Sequence, residues 1–135
     1  MHYQRPILLL FLWMLLTPLV FAVDPPEARQ RYPYAVLERD AFEFGKLEAG
    51  PAVRGTIIIT NEGAVDLLIA KVRSSCGLMI PSWPASVSPG GEAHIHFRYD
   101  GSRLGSFERH ITIHTNAWQK DLVVKVRGEI LQPSD

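Results

Sequence analysis

Four histidines fall in two short alternating stretches: His94 and His96 in E-A-H-I-H-F-R-Y, and His110 and His114 in F-E-R-H-I-T-I-H-T. Imidazole is the commonest protein ligand for zinc, copper and nickel, so side chains of this type converging on one point would hold such an ion. Convergence requires the two stretches to lie side by side. In the first, Ile95, Phe97 and Tyr99 alternate with His94, His96 and Arg98; in the second, Phe107, Arg109, Ile111 and Ile113 alternate with Glu108, His110, Thr112 and His114. Strict alternation marks a half-buried strand. Residues 100–106 carry Gly101 and Gly105, which suit a turn. The expectation is a hairpin with one greasy face and one histidine face. Centred near Arg103, it sets His96 opposite His110 and His94 opposite Thr112, with facing Cβ atoms ~5 Å apart. Polar side chains belong on the outward face in any case, so the plainer expectation is a solvated or pH-sensitive contact surface. A metal set of His94, His96, His110 and His114 is the alternative, and a one-residue change of register would scatter it.

Cys76 is the single cysteine, so no intrachain disulfide forms. Together with Met79 it offers the thiolate and thioether that select copper(I), and exposed it would oxidise or pair with a partner thiol. A free cysteine at a strand end more often acts as a small buried hydrophobe, and that is the expectation here. Nucleophilic catalysis finds no support: no serine sits in a G-x-S-x-G elbow, and carboxylates are dispersed. The glycines punctuate turns and none opens a phosphate-binding helix. The chain reads as non-enzymatic, with no resident cofactor unless the histidines bind zinc or copper.

The chain has 135 residues and no formal net charge, which argues against nucleic acid as a partner. Residues 1–22 combine Arg5, an apolar run from Ile7 to Leu16 and a small residue at Ala22, the pattern of a cleaved secretory signal. Export to the periplasm or beyond follows, with membrane attachment only if the signal is retained as an anchor. No cysteine stands near the cleavage point to carry a lipid.

Positioning these residues falls to a run of short strands. Residues 23–35, with three prolines and several charges, read as an extended linker. Residues 36–131 then hold about seven strands separated by turn signals, and residues 132–135 form a polar tail. Asn61-Glu62-Gly63 suits a tight reversal, and Pro89-Gly90 a type II turn. No segment has helical period. Sheets with one apolar face must bury it against each other, so the fold class is an all-β, immunoglobulin-like sandwich. Trp83 and Trp118 lie in connections and read as lids over the core.

The order of small motifs carries a resemblance. F-x-F-G-x-L-x-x-G at Phe42–Gly50, I-T-N-E-G at Ile59–Gly63, S-S-C-G at Ser74–Gly77 and V-S-P-G-G-E at Val87–Glu92 come first. Y-D-G at Tyr99–Gly101, G-S-F-x-x-x-I at Gly105–Ile111, Thr115-Asn116 and V-R-G-E-I at Val126–Ile130 follow. Across residues 36–131 the chain resembles the exported bacterial domain-of-unknown-function family numbered 1573, similar in fold to ciliary and major-sperm-protein-like sandwiches. The Cys-Gly-Cys-Thr element of that family is degraded here to Cys76-Gly77-Leu78-Met79, so a vicinal cysteine pair is not available. The resemblance implies the fold and assigns no chemistry. The functional expectation is an exported, non-catalytic module that binds a protein or cell-envelope component through an edge strand, the 76–83 connection or the histidine face.

Overall fold

A computed structural model describes residues 26–133. The signal expected at residues 1–22 lies outside them. A short helix, α1 (Pro26–Arg31), precedes nine strands: β1 (Ala35–Leu37), β2 (Ala41–Glu48), β3 (Val53–Asn61), β4 (Leu67–Ser74), β5 (Leu78–Met79), β6 (Ser86–Val87), β7 (Glu92–Tyr99), β8 (Gly105–Thr115) and β9 (Asp121–Leu131). Those of two residues, β5 and β6, fall in the irregular stretch between β4 and β7; the other seven match the strands expected from alternation. Two sheets form, with strand orders β1-β3-β7-β5 (sheet A) and β2-β9-β8-β4-β6 (sheet B).

Within the stretch expected as an extended linker, residues 26–31 form a helix instead. Pro26 opens α1, where its fixed φ suits a first helical position. The Ala64 amide donates to the Arg29 carbonyl at 2.9 Å and Arg29 pairs with Glu62 at 3.4 Å, so the helix is held to the loop after β3.

Alternation gives the inward faces correctly. Along β7, Ala93, Ile95, Phe97 and Tyr99 are buried while Glu92, His94, His96 and Arg98 are exposed. Ile57 and Ile59 from β3 meet Ile111, Ile113, Val124 and Val126 of sheet B in one core. Burying each such side chain contributes about 1.5–3 kcal/mol. The Gly91 amide closes on the Ser88 carbonyl at 2.8 Å with Gly90 at φ +78°, the expected type II turn.

The β7–β8 hairpin does not form. β7 pairs with β3 and β5 in sheet A, whereas β8 pairs with β9 and β4 in sheet B. Alternation says which side of a strand is buried but not which strand supplies its hydrogen bonds. In a sandwich, consecutive strands satisfy the same pattern from opposite sheets, facing each other across the core. The reversal expected after β3 is corrected for the same reason: β3 and β4 belong to different sheets.

Asn61, at the end of β3, is fully buried and clasps the two sheets. Its Oδ1 accepts from the amides of Tyr34 (3.3 Å) and Gly63 (3.0 Å), and its Nδ2 donates to the carbonyls of Val65 (2.8 Å) and Val87 (3.0 Å). Four bonds exhaust the capacity of a carboxamide. Phenylalanine rings also cover two inward glycines across strand pairs, Phe97 over Gly55 in sheet A and Phe107 over Gly128 in sheet B.

Candidate functional site

Because β7 and β8 lie in different sheets, the histidines separate. His94 and His96 stand on the outer face of sheet A, His110 and His114 on the outer face of sheet B, with the core between. The expected opposition of His96 and His110 is therefore absent. Each imidazole instead has a neighbour within its own sheet: His94 Nε2 lies 3.3 Å from Glu92, His110 Nε2 3.8 Å from Glu108 and His114 Nδ1 2.9 Å from Asp121. His96 Nδ1 lies 2.9 Å from Thr56 Oγ1. Among the described residues no group of three or more His, Cys, Asp or Glu is placed to hold a metal ion.

Cys76 is exposed, which corrects the expectation of a buried small hydrophobe. It sits in the turn between β4 and β5, where Gly77 at φ +87° swings the chain outward and Arg109 Nε donates to the Cys76 carbonyl at 2.8 Å. Leu78, one place further on, takes the buried position. Met79 is exposed beside Arg98, its register partner on β7. Trp83 packs against the core as expected, but Trp118 does not: it is exposed, with its ring 5.2 Å from that of Tyr32.

Two features of sheet A depend on strand order, one giving the expected edge strand its identity and the other carrying no local signal in the sequence. The first is the open edge of β7. The Asn61 amide donates to the Gly91 carbonyl and the Glu38 amide to the Ile58 carbonyl, so odd positions of β3 bond toward β7 and even positions toward β1. Backbone groups alternate sides along a strand. Ala93, Ile95 and Phe97 therefore bond to β3, and the peptide groups of Glu92, His94 and His96 point the other way. On that side β5 pairs only with Arg98 and Tyr99 before the chain crosses to β6 in sheet B. Among the described residues no backbone hydrogen bond reaches His94 or His96 from there.

The second feature is a pair of facing arginines. Arg54 of β3 is directly opposite Arg98 of β7, next to the facing pair Thr56 and His96. These four, with Pro81, Gly55 and Phe97, line a cavity of about 350 Å³. On the outer face of sheet B, by contrast, Arg127 lies between Glu43 and Glu108, 3.8 Å from each. No local sequence signal marks Arg54 and Arg98 as partners, since forty-odd positions separate them.

Among the described residues, two sheets packed about a single core define an immunoglobulin-like β-sandwich. A family model described as "protein of unknown function (DUF1573)" matches residues 35–130, and the chain belongs to that family. A protein of unknown function from Porphyromonas gingivalis W83 is similar in structure, with a TM-score of 0.65 and 24% identity over 76% of this chain and 48% of that one. The chain thus spans about half the length of that relative. The ASH/PapD-like domain 7 of human CEP192 gives a TM-score of 0.64 at 11% identity, covering 85% of this chain and 97% of that one. The secreted serine protease VesC from Vibrio cholerae gives 0.58 at 13% identity, covering 81% of this chain but 25% of the protease. No curated protein shows significant similarity.

Proposed function

We propose that this domain is an exported, non-catalytic binding module that takes an extended segment of a protein partner along the open edge of β7. The carrying observation is the row of outward-pointing peptide groups at Glu92, His94 and His96. Unpaired groups on a strand edge are a template for an added strand, with main-chain bonds supplying affinity and alternate side chains supplying selection. The β2 edge of sheet B is blunted. β2 carries Glu43, Lys46 and Glu48 and a bulge at Gly45 with φ +66°, devices that discourage pairing. The dispersed carboxylates and the absence of a nucleophile–base pair in the sequence support a role without bond chemistry.

The test is site-specific photo-crosslinking from Glu92 in envelope extracts, with the same probe at exposed Val123 of sheet B as control. A discrete adduct from position 92 and none from 123 is expected. His94→Pro removes the outward amide together with the imidazole beside Glu92, and His94→Ala the imidazole alone; the proline and not the alanine should abolish the adduct. Equal adducts at both positions, or one indifferent to His94→Pro, would sink the proposal.

A further inference from the structure

The outer face of sheet A places two guanidinium groups where the ladder forces them together. Directly opposed residues on neighbouring antiparallel strands hold their Cβ atoms ~5 Å apart, and like charges there destabilise the pair. Arg54 and Arg98 occupy such positions, both exposed. Among the described residues neither makes an ion pair with a carboxylate. The acids nearest along β7 are engaged elsewhere, Glu92 with His94 and Asp100 with Arg103 and Ser102. Among the described residues no acid lines the cavity beside the two arginines.

The neighbouring pair completes a donor set. His96 Nδ1 and Thr56 Oγ1 share one hydrogen bond of 2.9 Å. If the threonine hydroxyl donates, the imidazole proton resides on Nε2 and is free to donate; if Nδ1 donates, the threonine hydroxyl is free. Either tautomer leaves one neutral donor next to two cationic ones. Guanidinium groups bind phosphate oxygens in bidentate fashion, and two of them match the charge of a dianion.

We propose that the cavity over Arg54, Thr56, His96 and Arg98 is a binding site for a phosphate-class dianion, free or as a monoester, whose charge offsets the facing arginines. The site does not depend on strand addition at β7, and it concerns side chains on the sheet face where the preceding proposal concerns backbone at its edge.

Isothermal titration of the purified protein at low ionic strength tests it, with inorganic phosphate, O-phosphoserine and acetate as separate probes. Saturable one-to-one binding of phosphate or phosphoserine is expected, with acetate much weaker; the tighter of the two phosphates identifies a free or an esterified ligand. Arg54→Gln and Arg98→Gln should each weaken binding about tenfold or more, the loss expected for a charged hydrogen-bonding group. Arg73→Gln, an exposed arginine of sheet B, should leave it unchanged. The better-bound phosphate should also raise the melting temperature of the parent and not of the double variant. Absence of saturable binding for both phosphates, acetate binding as tightly, or an equal loss in Arg73→Gln would each overturn the site.

Discussion

The rings of Tyr99 and Phe107 stack with centroids 4.1 Å apart and planes inclined by 18°. The first belongs to sheet A and the second to sheet B, so this contact crosses the core where a hairpin would have made them ladder neighbours. Glycine makes room for the stack. A Cβ on Gly128, opposite Phe107, would lie 2.7 Å from its ring, and one on Gly77 would lie 2.7 Å from Tyr99. In sheet A the Gly55 Cβ would lie 2.3 Å from Phe97, which packs edge-on against Phe42 with centroids 5.1 Å apart.

Gly128→Ala and Gly55→Ala should each cost about 1–3 kcal/mol in urea unfolding, because the covering ring must shift inside a packed core. Gly50→Ala, with nothing within 4 Å of its Cβ, should stay within about 0.5 kcal/mol. A Gly128→Ala/Phe107→Leu pair that unfolds no more easily than Phe107→Leu alone would show that the ring is what the methyl meets. Equal, small effects at all three glycines would contradict the packing described.

Asn61→Ala strips partners from two amides and two carbonyls at once, and should destabilise by about 3 kcal/mol or more. Asn61→Asp should be no better, since a carboxylate would face the carbonyls of Val65 and Val87. Calorimetric melting of both variants decides the matter. A loss under about 1 kcal/mol would mean that water or a shifted backbone replaces the clasp.

The exposure of Cys76 predicts that its thiol reacts with a disulfide reagent in the native protein nearly as fast as in denatured protein. Cys76→Ser should change stability by less than about 0.5 kcal/mol. Strong protection of the native thiol would restore the buried assignment.

Donors from the following turn converge on the carboxyl of Asp100. The Ser102 hydroxyl (2.6 Å) and amide (3.0 Å) both donate to Oδ1, and with Arg103 nearby they hold the carboxyl below the ordinary aspartate range. A depressed folded value means a stabilising contribution that is complete above the unfolded value and is lost as pH falls through the folded one. Carboxyl-detected NMR titration should show Ser102→Ala moving the midpoint upward. An unmoved midpoint would assign the effect to something other than Ser102.

With His96 and His110 on opposite faces, their contributions to any zinc binding should be independent. The logarithmic loss in affinity of His96→Ala/His110→Ala should equal the sum of the single losses. A double loss far from that sum would require the two imidazoles to meet.

Periodicity made the inside of this protein readable and left its surfaces unreadable. The burial of Ile95, Phe97, Ile111 and Ile113 follows from sequence alternation alone, because one apolar face per strand has only one place to go. The partnership of Arg54 with Arg98, or of His96 with Thr56, follows from strand order, which is set by distant ladders that no window of a few residues contains. The same ignorance of strand order produced the histidine hairpin. Asn61 was legible as a turn former and not as a clasp, since turn chemistry and a satisfied buried amide use the same residue type. Cys76 was misplaced because the positive φ of Gly77 decides which way the chain leaves β4.

The parallel pairing of β2 with β9 has a temporal consequence. β9 comes last among the described strands, yet it is the neighbour of both β2 and β8. While a chain of this sequence emerges residue by residue, Phe42 and Leu47 wait without their ladder partners Val126 and Ile130 until residues 121–131 arrive. Sheet B therefore cannot be completed piecemeal, and the domain stays unfinished for nearly the whole of its own synthesis. Such long-range closure slows folding and prolongs the interval in which a chaperone can hold the chain unfolded.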